Sequence, residues 1–153
     1  MAIKIPTKDE TFSVIASIDS ALEKDGDAYE KYLQTLDESH LKIIAGEEPT
    51  RFVMRKVLPF KLAQKVQNAQ IEISEAGTQI KPAFMMEEVR CSLVDVQNPP
   101  SLPAGDHIKF EKHSDGGASY GIMEMLLAAG VVNDLYKARA YAILGLGDSL
   151  KKK

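Results

Sequence analysis

The chain has a single cysteine and only three histidines in 153 residues. Cys91 on its own cannot close an internal disulfide, which fits a reducing compartment. Nor can it complete a zinc cluster. His40, His107 and His113 have no partners at zinc-type spacing, and the last two bracket a stretch that reads as a strand. Positive charge is not in excess. Lys and Arg number 19 against 22 Asp and Glu, for a formal net charge of −3. That argues against general nucleic-acid binding, which needs a basic face to neutralise phosphates. No apolar run approaches the roughly 18 residues needed to span a bilayer. The opening MAIKIPTKDE lacks the apolar core of a secretory signal, so a cytoplasmic product is expected.

What remains is ordinary in composition: 44% hydrophobic and 27% charged residues, enough for one soluble domain with its own core. Residues 7–24 read as a helix. Thr7 and Glu10 have capping-box spacing, and Phe12, Ile15, Ile18 and Leu22 make one apolar face. Asp25-Gly26-Asp27 stops it. A second helix is expected over 27–36, with Tyr29, Tyr32, Leu33 and Leu36 on one side. Residues 41–45 and 50–57 read as the two strands of a β-hairpin about the Gly46-Glu47-Glu48-Pro49 turn. In the second strand Phe52, Met54 and Leu58 share the core face. Arg51, Val53, Arg55 and Val57 share the outer one.

Pro59 suits the first turn of a helix, expected over 59–71 with Leu62, Val66 and Ala69 on one side. Gly77 breaks the pattern. Pro82 opens a third substantial helix, over 81–96, with Phe84, Met85, Val89, Leu93 and Val96 at helical spacing. Residues 98–103 form a proline-rich linker, and 107–110 a short third strand. The pattern from 118 to 144 is helical with a break at Gly130, and 148–153 is a polar tail. The expectation is α+β: a central antiparallel hairpin, plus a short third strand, packed with several helices in a single domain over 1–153.

No constellation carries chemistry. Cys91 lies in a helix without a histidine base and reads as a small half-buried apolar residue. Glu47-Glu48 and Glu87-Glu88 are adjacent, and neighbours on a helix do not face one point, so both read as solvated charge. The loop Asp115-Gly116-Gly117-Ala118-Ser119-Tyr120-Gly121 precedes a helix, where backbone amides can hold an anion. It lacks the G-x-G-x-x-G and P-loop patterns, and a capping Ser114 or Asp115 explains it without a ligand. Arg51, Arg55, Lys56 and Lys61 form a local basic cluster, suited to an acidic partner surface or to a charged sheet edge. Met85, Met86, Met123 and Met125 fall in two helices. Met86 and Met125 lie off the main apolar faces, where methionine makes adaptable contact surfaces.

Three stretches carry a resemblance. The first is GEEPTRFVMR, 46–55, followed by a leucine-proline entry to a helix. The second is AFMMEEVRCSL, 83–93, running through Val94-Asp95-Val96-Gln97-Asn98 and a proline-rich gap to Ile108-Lys109-Phe110. The third is the closing helix with AYAIL. Over about two thirds of the chain, this order of elements resembles small tailed-bacteriophage proteins of the tail assembly chaperone type. The resemblance implies a non-enzymatic protein acting by protein–protein contact in the host cytoplasm, without cofactor or membrane. Its implied partners are other phage structural or assembly proteins, the tape measure among them. The alternative is a structural virion component: a connector, tail or minor capsid protein. No functional residue carries over, because the type has no catalytic motif. From the residues themselves, Arg51, Val53, Arg55, Met86 and Met125 are the expected partner-binding positions.

Overall fold

The structure, a computed structural model, describes residues 10–74, 82–100 and 109–144. Strand β2, Arg51–Arg55, is central in a three-stranded antiparallel sheet. It alternates as expected: Phe52 and Met54 are buried while Arg51, Val53 and Arg55 are half-buried. On one side lies β1, Thr11–Val14, and on the other β3, Leu93–Gln97. Five α-helices complete the described residues: α1 Gly26–Thr35, α2 Phe60–Ser74, α3 Pro82–Ser92, α4 Tyr120–Ala128 and α5 Val132–Leu144. Together these make a small α+β fold. No helix among them is long and apolar enough to cross a membrane.

The sheet's inner face shares one core with the helices. Val14, Phe52, Met54, Leu93 and Val96 cluster with Tyr32 and Leu33 of α1, Val89 of α3, Met123 of α4 and Leu135 of α5. A smaller cluster of Leu62, Val66 and Cys91 joins α2 to α3, with Leu58 and Phe84 against it. α1 starts on Asp25, whose carboxylate accepts the Ala28 N–H. α4 and α5 are separated at Gly130, whose φ of 76° lies in the left-handed region that glycine tolerates. These helices stand where the periodicity placed them.

Four expectations are corrected. Residues 7–24 do not form a helix. Phe12 and Val14 alternate with Thr11 and Ser13 as β1, and the chain then turns at Asp19, whose Oδ1 accepts the Ala21 N–H. Pairing with β2 buries Val14 fully, whereas Ile18, central to the helical reading, is 56% exposed. Residues 41–45 are extended locally but do not pair with β2. Leu22 and Ile43 form an isolated antiparallel bridge, flanked by bonds from Glu23 N–H to the Lys42 carbonyl and from Ile44 N–H to the Ala21 carbonyl. Both edges of β2 are occupied by strands that bring Val14, Leu93 and Val96 into the core, while Ile43 and Ile44 stay exposed.

The third helix ends at Ser92, and Leu93–Gln97 is strand. The register explains the misreading. Val96 lies opposite Phe52 and Leu93 opposite Met54, with a bulge between Val53 and Met54. Inward residues in β3 are therefore three apart, a helix-like spacing produced by a bulged strand. Lys109 and Phe110 are not in a strand; the pairing nearby is an isolated bridge from Lys112 to Ala118. Gly77, Ser101–Pro103 of the linker, His107–Ile108 and the 148–153 tail lie outside the described residues.

The outer side of β1 is closed by a side chain. The Tyr32 hydroxyl accepts the Ile15 N–H at 2.9 Å and reaches the Ser13 carbonyl at 3.5 Å. Tyr29 donates to the Ile15 carbonyl at 2.8 Å. Burial pushes the Tyr32 phenol up to about 12 and raises Tyr29 well beyond its usual range. Tyr32→Phe leaves the buried Ile15 N–H unpaired. It is expected to cost about 1–3 kcal/mol, read as a lower urea midpoint at unchanged m-value.

Candidate functional site

The strongest concentration of charge centres on Arg90. Its run, Val89-Arg90-Cys91-Ser92-Leu93, is buried throughout, and the arginine is 0% exposed. An arginine inside the protein must be paired, and here it is paired on every side. Nε donates to Glu87 Oε2 at 3.0 Å and Nη2 to Glu87 Oε1 at 2.6 Å. Nη1 and Nη2 reach the two oxygens of Asp115 at 3.1 and 2.7 Å. Nη1 also donates to the Ala118 carbonyl at 3.2 Å. The guanidinium lies 4.4 Å from the centroid of the Tyr120 ring, a cation–π distance.

The glycine-rich loop is therefore a receptor for Arg90. His113 N–H donates to the Gly117 carbonyl and Gly116 N–H to the His113 carbonyl, which curls the loop on itself. Gly116 has φ +94°, and a Cβ on Gly117 would stand 2.9 Å from Arg90 Nη1. Both glycines are needed here, one for its backbone and one for the close approach. Asp115 also takes Lys65 Nζ at 2.6 Å and the Gly117 N–H at 2.9 Å. Hydrogen bonds from Arg90 first, then from Lys65 and Gly117, hold its carboxyl well below the usual carboxylate range. An anion-binding loop would aim free amides outward; this one encloses its own aspartate.

Glu87-Glu88, read as solvated charge, is corrected as well. Successive helix positions diverge, and each carboxylate meets a different buried arginine. Glu87 holds Arg90, and Glu88 Oε1 accepts from Arg139 Nη1 at 2.7 Å. Arg139 Nη2 donates to the Lys56 carbonyl at 3.2 Å, while its buried Nε is unmet. Burial raises the Glu88 carboxyl and lowers the Arg139 guanidinium, against the pull of each on the other. Cys91 is also fully buried, its Sγ 3.8 Å from Glu87 Oε1. Burial pushes its thiol up to about 11, the opposite of what a nucleophile needs. Among the described residues no three His, Cys, Asp or Glu side chains converge as a metal would require.

The expected partner-binding positions fall apart in space. Arg51 donates from Nε and Nη2 to both Glu38 oxygens at 3.1 and 2.8 Å and from Nη1 to Glu48 at 2.7 Å. Arg55 donates to the Cys91 carbonyl at 2.9 Å and approaches the Gly116 carbonyl at 3.4 Å. Val53 sits between them on the outer face, with Ser13 and Asp95 as cross-strand neighbours. Met86 packs, partly buried, against the main core. Of the five, Met125 alone lines a groove with another exposed large apolar residue, Ile18.

Met125 lines a groove of about 540 Å³. Ile18, from the turn after β1, lines it too, as do Pro99 and Pro100. Phe52 and Leu126, both buried, complete its apolar lining. The neighbouring backbone is held: Asp19 Oδ2 accepts the Thr50 N–H, Asn98 Nδ2 donates to the Glu48 carbonyl, and Thr50 Oγ1 donates to the Asn98 carbonyl. Sequence reasoning assigned Ile18 to a helix core and so missed the groove. The legible signal was Met125 at the margin of its helix. For Arg90 the signal was a lone arginine in an apolar run.

No family model, no curated protein and no solved structure matches this chain.

Two outcomes test the cluster. Arg90→Met strands Glu87 and Asp115 and is expected to cost about 3–5 kcal/mol in urea unfolding, with Asp115→Asn less severe. The Asp115 carboxyl is depressed in the folded state, so its stabilisation is present above the unfolded value of about 3.9 and fades as pH falls below it. The acid loss of stability should be shallower in Asp115→Asn. Separately, Cys91 should resist iodoacetamide at neutral pH and react only at the rate of unfolding, measured by mass increase against denaturant.

Proposed function

We propose that this chain is a non-enzymatic bacteriophage protein that works by protein–protein contact, as a tail assembly chaperone or adaptor. One observation carries the contact reading. The charged side chains that could form a site are bound to one another inside the fold, while large apolar side chains stand exposed around a groove. Ile18 is 56% and Met125 36% exposed in its lining. Exposed apolar surface with a polar rim marks interaction sites. The phage assignment is supported by the resemblance of 46–55, 83–110 and the closing helix to that type.

The contact surface proposed is the groove lined by Ile18 and Met125. Arg51 and Arg55 are engaged within the chain, so Arg51→Glu with Arg55→Glu perturbs the fold before it perturbs a partner. Met125→Lys is the cleaner probe. The tagged chain, recovered from infected cells, is expected to bring down a phage tail or tape-measure protein, and Met125→Lys to reduce that recovery about tenfold, the effect of losing one apolar anchor. Mass spectrometry of purified particles should not find the chain. Its presence there would favour a connector, tail or minor capsid component instead. Recovery of no phage protein at all would sink the assembly reading.

A further inference from the structure

We infer that the groove lined by Ile18 and Met125 takes an apolar segment of a partner protein flanked by lysine or arginine. This rests on the protein-contact reading and specifies its chemistry. The groove's volume of about 540 Å³ falls in the range of small-molecule ligand pockets, about 300–1,000 Å³. Ile18, Met125, Pro99 and Pro100 are part of its apolar lining.

The charged side chains that line the groove are acidic. Among the described residues that line the groove, the charged side chains are Asp19 and Glu48, and none is basic. Asp19 is fixed in place by accepting the Ala21 and Thr50 N–H groups, and it makes no ion pair among the described residues. Glu48 is 70% exposed and gives only Oε1 to Arg51, at 2.7 Å. An apolar slot lined by two carboxylates favours cationic flanks and disfavours acidic ones. The same sign turns away a nucleic-acid phosphate or an anionic bilayer.

The test uses the full chain with labelled Ile and Met methyls, titrated at low salt with two blocked peptides, KLLLK and ELLLE. KLLLK is expected to shift the Ile18 and Met125 methyls and to bind about tenfold more tightly than ELLLE, with the preference shrinking as salt rises. Met125→Lys and, independently, Ile18→Lys should each weaken KLLLK about fivefold or more with unchanged circular dichroism. Equal affinity for the two peptides, unmoved methyls, or unchanged binding by both variants overturns the inference. So does a dimer in sedimentation that Met125→Lys dissolves, which would make a second copy of the chain the occupant. A failed titration beside successful capture of a phage partner sinks the groove alone. The reverse pattern sinks the assembly reading and leaves the groove.

Discussion

A single buried guanidinium organises this protein. Arg90 comes from α3, its acidic partners from α3 and the 113–117 loop, its carbonyl acceptor from Ala118 and its stacked ring from Tyr120 at the head of α4. Asp115 extends the cluster to Lys65 on α2, and the Gly116 carbonyl extends it toward Arg55 on β2. A buried ion pair adds little net stability beside apolar side chains of the same size. Separating its members, however, leaves charges without water or partner, at a cost of several kcal/mol (about 3–5). Arrangements of α2, α3, α4 and the loop that part these groups are thus strongly disfavoured. The loop's two glycines follow from the same constraint, since the arginine needs room and a tight turn around it.

The second arginine shows how adjacent carboxylates divide their work. Glu87 and Glu88 point in different directions from α3, one to Arg90 and the other to Arg139 of α5. Arg139 in turn holds the Lys56 carbonyl just after β2. Carboxylates that read from the sequence as solvated charge are thereby part of the scaffold. What the scaffold leaves exposed is an apolar groove with an acidic rim, built from a turn, a helix end and two prolines. Contact with another protein is the role proposed for this surface.

Much of the architecture was legible because it depends on near neighbours. Tyr29, Tyr32 and Leu33 announce α1, Leu62 and Val66 announce α2, and Gly130 divides α4 from α5. The failures share one cause. Phe12, Ile15, Ile18 and Leu22 satisfy a helical period, yet Thr11–Val14 also satisfies a strand's, and pairing with β2 decides between them. Leu93 and Val96 look helical because a bulge spaces them so. Ile43 and Ile44 have strand-forming side chains but pair elsewhere. The candidate site was legible only at Met125. Ile18 was assigned to a helix that does not form, and the prolines carried no signal of a groove.

The sequence by itself determined the α+β class, the alternation of β2 with its apolar and basic faces, most helix positions and the lack of a nucleophile or zinc pattern. These follow from interactions between residues a few places apart, which periodicity and turn chemistry record. Tertiary structure alone decided which strands flank β2, that Arg90 and Arg139 lie inside, that the glycine loop encloses its own aspartate and that Ile18 and Met125 line one groove. Those partners are 25 residues apart for Arg90 and Asp115 and 83 for Lys56 and Arg139. Only the packed core brings them within reach, and a buried charge then accepts no other neighbour.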